Sequence, residues 1–169
     1  TGTVITGNTI GSTIAADKIG YRGMFLSNQQ GVLANNNLID GVTTSTTNSS
    51  VGIIVVGTTS GGSIIGNQIR NIANTNTGGY GSDGIYLGAT STASNLTIAN
   101  NFVSGVTGYG YTGIAIGDNG YGIAVVSGGG YNIWYNTVSM NLNQTTGTYQ
   151  SAALWIASAL TAGSLDVRN

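Results

Sequence analysis

A six-residue phrase recurs five times along the chain: an apolar residue, two spacers, an asparagine, one spacer and an apolar β-branched residue. A second phrase, a small residue followed by three apolar residues, begins 15 to 21 residues after each of these asparagines. The two phrases keep the same order, with a period of 29 to 35 residues. Such a period predicts a solenoid in which each repeat forms one coil.

Strands are expected to build these coils, because glycine interrupts nearly every candidate helical window and the apolar runs are short and β-branched. We predict an all-β fold, a single-stranded parallel β-helix of about five coils. The chirality of parallel crossovers favours the right-handed form. Coils stack about 4.8 Å apart, so equivalent residues form columns. One interior column is predicted to contain Ile10, Ile39, Ile69, Val103 and Val138.

The asparagine of each phrase forms a further column, at a point where the chain must turn. Asparagine tolerates the left-handed backbone region, and its amide can hydrogen-bond along a stack. The predicted ladder consists of Asn8, Asn37, Asn67, Asn101 and Asn136. It resembles the asparagine ladder of pectate-lyase-like right-handed β-helices, and the repeats resemble the Asn-rich coils of large secreted bacterial proteins of the Bacteroidota type. The resemblance covers essentially the whole chain and implies a scaffold.

Two charged residues test this register. Asp40 and Arg70 each follow a ladder asparagine by three residues. They should therefore lie side by side on adjacent coils and form an ion pair. A surface pair of this kind contributes about 0 to 1 kcal/mol, so we expect it to have a structural role.

The segments between the two phrases vary most. Residues 43–50, 73–82, 105–120 and 141–150 are rich in Gly, Thr, Asn and Ser, as expected for insertions at fixed corners of the coil. Residues 113–116 are a candidate for an extra short strand within the longest of these segments.

The surface carries little charge: among 169 residues there are four Lys or Arg, five Asp or Glu, and no His or Cys. No basic patch can neutralise phosphates, so nucleic acid is not an expected partner. A surface of Thr, Ser, Asn and Gly is typical of extracellular repeat proteins, and we expect a secreted or cell-surface location. No window approaches 18 apolar residues, so membrane insertion is not expected. Neither end of the pattern resembles a cap. Residues 1–169 are therefore expected to form one segment of a longer solenoid, or coils that stack end to end in an assembly.

The second phrase predicts an apolar strip on the outside of one sheet. Strand alternation would turn its first and third apolar residues inward and its middle residue outward. Such a strip could be covered by a loop or by a neighbouring segment of the parent protein, contact another protein laterally, or stack sugar rings. The outward residues are Phe25, Ile54, Tyr86, Ala124 and Trp155. The flanking outward column is Ser27, Val56, Gly88, Val126 and Ala157.

Catalysis and metal binding have few candidate residues. Enzymes resembling pectate lyases and polygalacturonases use clustered carboxylates, and Asp83 and Asp118, which are 35 residues apart, are the weak candidates for an acid and base pair. Asp-Gly is also a common turn sequence, and a turn is the favoured interpretation of Asp83. Asp118, with Asn119 and loop carbonyls, is a weak calcium candidate; no other cofactor is expected.

These patterns favour a non-enzymatic extracellular module that acts as a stalk, adhesin or filament-forming segment, with Phe25, Ile54, Tyr86 and Trp155 as its contact face. The alternative is a polysaccharide-binding or polysaccharide-degrading domain. Ice binding is a remote alternative, because the threonines fall mainly in loops and do not form a regular array on a strand face.

Overall fold

The computed structural model describes residues 2–111, 119–144, 150–157, 160–161 and 164–169. They form a parallel β-solenoid of about five turns, with three parallel sheets along its length. Each coil contributes one strand to sheet A, then one to sheet B after the ladder turn, and then one to sheet C. A 3-10 turn, Ala15–Asp17, lies between the first strands of sheets B and C. In the described ranges no helix has the length and apolar character needed to cross a membrane.

The strands stack in chain order within each sheet. Sheet A consists of β1 (Val4–Thr6), β4 (Gln30–Asn35), β7 (Ser60–Ile65), β10 (Leu96–Ala99), β13 (Tyr131–Trp134) and β16 (Leu165–Arg168). Sheet B consists of β2 (Thr9–Gly11), β5 (Leu38–Thr44), β8 (Gln68–Asn74), β11 (Phe102–Thr107) and β14 (Thr137–Ser139). Sheet C consists of β3 (Arg22–Ser27), β6 (Ser50–Gly57), β9 (Ser82–Ala89), β12 (Gly120–Ser127) and β15 (Ala152–Ile156).

The predicted interior column is confirmed by the strand register. Each of its residues lies opposite its equivalent on the next coil, from Ile10 through to Val138. The three middle members, Ile39, Ile69 and Val103, are completely buried in one apolar core that runs through the coils. Burial of β-branched side chains in stacked layers is the main favourable term that holds such coils together.

The ladder is also confirmed, and its hydrogen bonds repeat from coil to coil. The side-chain oxygen of Asn67 accepts from the backbone N–H and the Nδ2 of Asn37, both at 2.9 Å. The Nδ2 of Asn67 in turn donates to the Oδ1 of Asn101 at 2.9 Å and to the carbonyl of Ala34 at 2.8 Å. The same Nδ2-to-Oδ1 link joins Asn8 to Asn37 and Asn101 to Asn136. Four links therefore connect all five coils.

The turn beside the ladder differs from the sequence expectation by one residue. The left-handed conformation belongs to the residue before each ladder asparagine, and the asparagine itself does not adopt it. Small or amide residues fill this position in four coils, because they reach positive φ at little cost. The five residues, with φ between 53° and 68°, are Gly7, Asn36, Gly66, Asn100 and Tyr135.

Tyr135 is the one bulky residue at this turn position, and we expect its replacement to stabilise the protein. Its side chain is 57% exposed, so truncation removes little buried surface, whereas its φ of 54° is unfavourable for a residue with a large side chain. Tyr135→Asn should raise the free energy of unfolding by about 0.5 to 1 kcal/mol in urea denaturation. Phe102→Asn, at an exposed aromatic in strand β11, is the control and should not stabilise. A destabilised Tyr135→Asn would contradict the proposed backbone cost.

The ion pair that tests the register is present. The Nε of Arg70 donates to the Oδ2 of Asp40 at 2.8 Å, and Asp40 lies opposite Arg70 in the pairing of β5 with β8. The Nδ2 of Asn71 occupies the other carboxylate oxygen at 2.7 Å. Arg70 is nearly half exposed whereas Asp40 is buried, so the pair lies at the edge of the core and is less exposed than the expected surface pair.

The four predicted variable segments all lie at the corner between sheets B and C. The connections there span 45–49, 75–81, 108–119 and 140–151. The candidate extra strand at 113–116 lies outside the described residues. Insertions of different length leave the columns in register, because the strands on either side of this corner pair only with neighbouring coils.

The small residue that begins the second phrase is required by the close approach of sheets B and C. A Cβ on Gly52 would lie 2.4 Å from the Cγ2 of Ile69, and one on Gly84 would lie 2.3 Å from the Cγ1 of Val103. A larger residue would therefore force the interior column of sheet B away from sheet C.

Candidate functional site on the outer face of sheet C

The predicted outward strip exists as a column but is unevenly exposed. Register pairs place Phe25 beside Ile54, Ile54 beside Tyr86, Tyr86 beside Ala124 and Ala124 beside Trp155. Phe25 is 52% exposed, whereas Ile54 is only 5% exposed and Ala124 is buried. Tyr86 and Trp155 are half-buried. The continuous flat strip is therefore interrupted, and we keep the name contact face for Phe25, Ile54, Tyr86 and Trp155.

Ile54 is buried without belonging to the interior core. Together with Val51 it lies outside the cluster of core side chains, although both are almost completely covered. Residues at the start of β3 and in the loop before β6 line the same region of the surface. Ile54 lies in the predicted outward column but is covered, because a second apolar layer forms on the outside of sheet C.

The inward alternation is confirmed for eight residues of the second phrase. Met24, Leu26 and their equivalents in β6, β9 and β12 lie in the core. In β15, which has a neighbour on one side only among the described strands, Leu154 packs against the core and Ile156 is 43% exposed.

The flanking column needs one correction. A β-bulge shifts the register of β12 after Val125, so Ser127 and not Val126 lies opposite Gly88. The extra residue moves Val126 out of the ladder, as a bulge does. Apolar character on this side of the contact face is therefore lower than the sequence indicated.

A second outward column, which was not predicted, lies three residues before the contact face. The register places Arg22 beside Val51, Val51 beside Asp83, Asp83 beside Tyr121 and Tyr121 beside Ala152. Its two charged members, Arg22 and Asp83, each directly precede the glycine of the second phrase. This shared sequence position is the signal that could have revealed the column.

Asp83 is the most unusual residue of this column. It lies within strand β9, so the interpretation as a turn residue is wrong. Its side chain is completely buried, and neither carboxylate oxygen has a hydrogen-bond partner among the described residues. Burial therefore raises the pKa of the Asp83 carboxyl well above its ordinary value.

A half-open surface cavity of about 200 Å³ has Asp83 and Arg22 among its lining residues. Its remaining walls come from Tyr21, Ser49, Tyr86 and the two buried aliphatic residues of the outer layer. Burial raises the pKa of the Tyr86 hydroxyl, and the negative charge of Asp83 adds to this effect, while Arg22 opposes it. The cavity thus combines one carboxyl, one guanidinium and aromatic walls.

Arg22 is held at its end of the cavity by two aromatic rings. Its guanidinium carbon lies 4.1 Å from the ring centre of Tyr21 and 4.7 Å from that of Phe25. Its Nη2 donates to the Tyr21 hydroxyl at 2.5 Å. The Nε is buried and lacks a hydrogen-bond partner within the part of the chain that the structure describes. Cation–π contacts therefore fix the guanidinium but leave one donor unused.

The far end of the contact face is fixed by an aromatic pair. The rings of Tyr121 and Trp155 lie 5.6 Å apart between centroids with a 30° tilt. Tyr121 is buried and Trp155 is half-buried, so the pair anchors the tryptophan against the sheet.

The second carboxylate candidate, Asp118, lies outside the described residues, both for catalysis and for calcium. The Oδ1 of its neighbour Asn119 accepts from the backbone N–H of Tyr111 and from the Nε2 of Gln144, both at 3.1 Å. In the described ranges no three Asp, Glu, His or Cys residues gather into a group that could hold a metal ion.

Comparisons with protein-family models, with curated proteins and with solved structures gave no significant match for this chain.

Proposed function

We propose that this chain is a rigid, non-enzymatic module of a secreted or cell-surface protein, and that it acts through the contact face of sheet C. The observation that carries the proposal is the four-link asparagine ladder, which runs beside a continuous apolar core. Fully satisfied buried polar networks rigidify a fold. A stiff rod of this kind suits a stalk, an adhesin or a filament-forming segment.

Phe25 supports a role for the contact face in protein association. A half-exposed phenylalanine, two coils away from the half-buried Tyr86, offers the aromatic surface that protein interfaces prefer. The net charge of −1 imposes almost no electrostatic repulsion between copies. Lateral contact with a second copy of the chain is therefore the association that we propose.

Removal of the exposed ring should weaken this self-association. In sedimentation velocity over a range of concentrations, the wild-type chain should shift from its 17.0 kDa monomer towards larger species. Phe25→Ser should move this shift to concentrations about 10-fold higher or more, as expected for loss of an aromatic anchor.

Leu33→Ser is the matched control, because Leu33 is a 40% exposed apolar residue in β4 of sheet A. It should leave the association unchanged. A wild-type chain that stays monomeric throughout, or an equal effect of both substitutions, would contradict the proposed face.

Polysaccharide binding is the second candidate, favoured by the stacking of Phe25 on Arg22. The arrangement leaves an aromatic surface beside a guanidinium, a combination that can stack a sugar ring and donate to its hydroxyls. Retardation in gels that contain pectin-like or neutral glycans, lost in Phe25→Ser, would support this candidate. Reducing or unsaturated products that disappear in Asp83→Asn would contradict the non-enzymatic proposal.

A further inference from the structure

Asp83 shares the outer layer of sheet C with two members of the contact face. In the pairing of β6 with β9, Asp83 lies opposite Val51, and Tyr86 lies opposite Ile54. These four residues also line one half-open cavity. The Asp83 side chain is completely buried, and neither of its oxygens has a hydrogen-bond partner among the described residues. The carboxyl and this part of the contact face therefore belong to one packed layer.

The surroundings of Asp83 accept a neutral carboxyl but do not stabilise a carboxylate. The titratable or charged groups around it are Tyr86 on its own strand, Tyr121 at its register position on β12, and Tyr21 and Arg22 among the lining of the cavity. None of them donates a hydrogen bond to Asp83, and Arg22 forms no ion pair with it in the described part of the chain. Burial therefore raises the pKa of the Asp83 carboxyl.

An ionised Asp83 would have to be hydrated. A buried carboxylate without hydrogen bonds or a counter-ion is strongly unfavourable, and access of water relieves this cost. Water reaches the carboxyl only if the side chains that cover it move apart. Ile54 and Tyr86 are among the side chains of that layer. Ionisation of Asp83 is therefore coupled to the packing of the contact face.

The opening can stay local, because the residues that follow Asp83 on β9 hold the strand from the other side of the sheet. Ile85 and Leu87 are completely buried in the interior core. Local openings of this kind cost less free energy than unfolding of the whole chain. The outer layer can therefore open while the coils remain stacked.

We propose that Asp83 makes the contact face sensitive to pH: the neutral carboxyl keeps the outer layer packed, and its ionisation opens that layer and weakens lateral association. The association part rests on the lateral contact proposed above, whereas the opening of the layer does not depend on it. Histidine and cysteine, the side chains that ordinarily titrate near neutral pH, are absent from the sequence. Asp83 is therefore the group to which a response in this range is assigned.

The direction of the effect follows from proton linkage. Association requires the packed layer, so it favours chains in which Asp83 is protonated. Above the folded-state pKa of Asp83, the protonated fraction falls about 10-fold for each pH unit, and the apparent affinity of each chain falls with that fraction. Association should therefore be strongest at low pH and should weaken as the pH rises through this pKa.

Sedimentation velocity of the whole chain between about pH 5 and about pH 9 tests the association part. The wild-type chain should associate about 10-fold more weakly, or less, at the upper end of this range than at the lower end. Asp83→Asn and Asp83→Val cannot ionise, so each should associate equally at every pH. Asp17→Asn, at an exposed carboxylate of the 3-10 turn, should behave as the wild type. Circular dichroism melting verifies that each variant is folded.

Hydroxyl-radical footprinting tests the opening at concentrations at which the chain is monomeric. Oxidation of Ile54, which is 5% exposed, should rise with pH in the wild type and stay constant in Asp83→Val. Tyr111, which is 48% exposed, gives the reference rate in the same chain, and the interior Tyr131 should stay protected throughout.

Two results would overturn the proposal: oxidation of Ile54 that does not change with pH, or an association that weakens equally in the wild type and in Asp83→Val. A wild-type chain that is monomeric at every pH would contradict the lateral contact and with it the association part. Footprinting then decides separately whether Asp83 opens the outer layer.

Discussion

Asp83→Val raises the free energy of unfolding at pH 7 by about 1 to 3 kcal/mol, because it removes a buried carboxyl that has no hydrogen-bond partner in the described chain. Valine is close in volume to aspartate and already occupies the equivalent position on the neighbouring coil, as Val51. Most substitutions at a buried position destabilise a protein. A clear gain at this one would therefore identify the carboxyl as the source of the cost.

The raised pKa of Asp83 determines how the stability gain of Asp83→Val changes with pH. The pKa of Asp83 is raised in the folded state, whereas an unfolded aspartate has a pKa of about 3.9. Between these two values the folded chain binds more protons than the unfolded chain, so this group lowers stability as the pH rises. The advantage of Asp83→Val should therefore be small near pH 4 and should grow as the pH increases towards the folded-state pKa.

Urea denaturation of both proteins at several pH values measures this difference, and effects of the remaining carboxylates cancel in the comparison. Asp17→Val, at an exposed aspartate, is the control and should change stability by less than about 0.5 kcal/mol. A difference between Asp83→Val and wild type that stays constant from pH 4 to neutrality would show that the carboxyl is ionised or paired at both extremes.

Asn67→Ala should destabilise the protein by about 3 to 5 kcal/mol, since several buried groups lose their partners at once. Asn67 is completely buried at the centre of the ladder. The backbone N–H of Asn37 and the carbonyl of Ala34 both depend on its side chain. Each is left unsatisfied in the interior, and the lost amide volume adds a cavity cost.

Asn8→Ala is the matched control for the ladder. Asn8 occupies the same column at its first coil and is exposed, and its Nδ2 donates to the Oδ1 of Asn37 and to the carbonyl of Thr6. Water can replace these bonds, so the loss should stay below about 1 kcal/mol. Chemical denaturation of the two variants compares them directly; similar losses would mean that burial does not set the energy of a ladder link.

The repeat allowed most of the fold to be predicted. A column of equivalent residues follows from the period alone, because parallel strands stack at one spacing whatever the length of the loops between them. Asn37, Asn67 and the ion pair of Asp40 with Arg70 were therefore placed correctly. The turn beside the ladder was displaced by one residue, since asparagine is compatible both with left-handed backbone and with amide stacking and the sequence does not say which one applies.

The candidate site was predicted only in part. Alternation along β6 and β9 correctly placed Ile54 and Tyr86 in one outward column. Strand alternation predicts which side of the sheet a side chain points to, but it does not predict whether other residues cover that side chain. It could therefore not show that Ile54 is buried in an outer layer. The bulge that displaces Val126 was equally hidden, because it depends on how β12 meets its neighbour.

By itself the sequence determined the number of coils, the strand order and the identity of the stacked residues, since all three follow from a repeating pattern of apolar residues and asparagine. The tertiary structure alone decided the environment of Asp83. Its strand position, its complete burial and the cavity that it shares with Arg22 arise from segments distant in sequence that meet on the outside of sheet C. Local sequence around an Asp-Gly pair predicts a turn, and only packing between coils makes that carboxyl a buried group without a hydrogen-bond partner among the described residues.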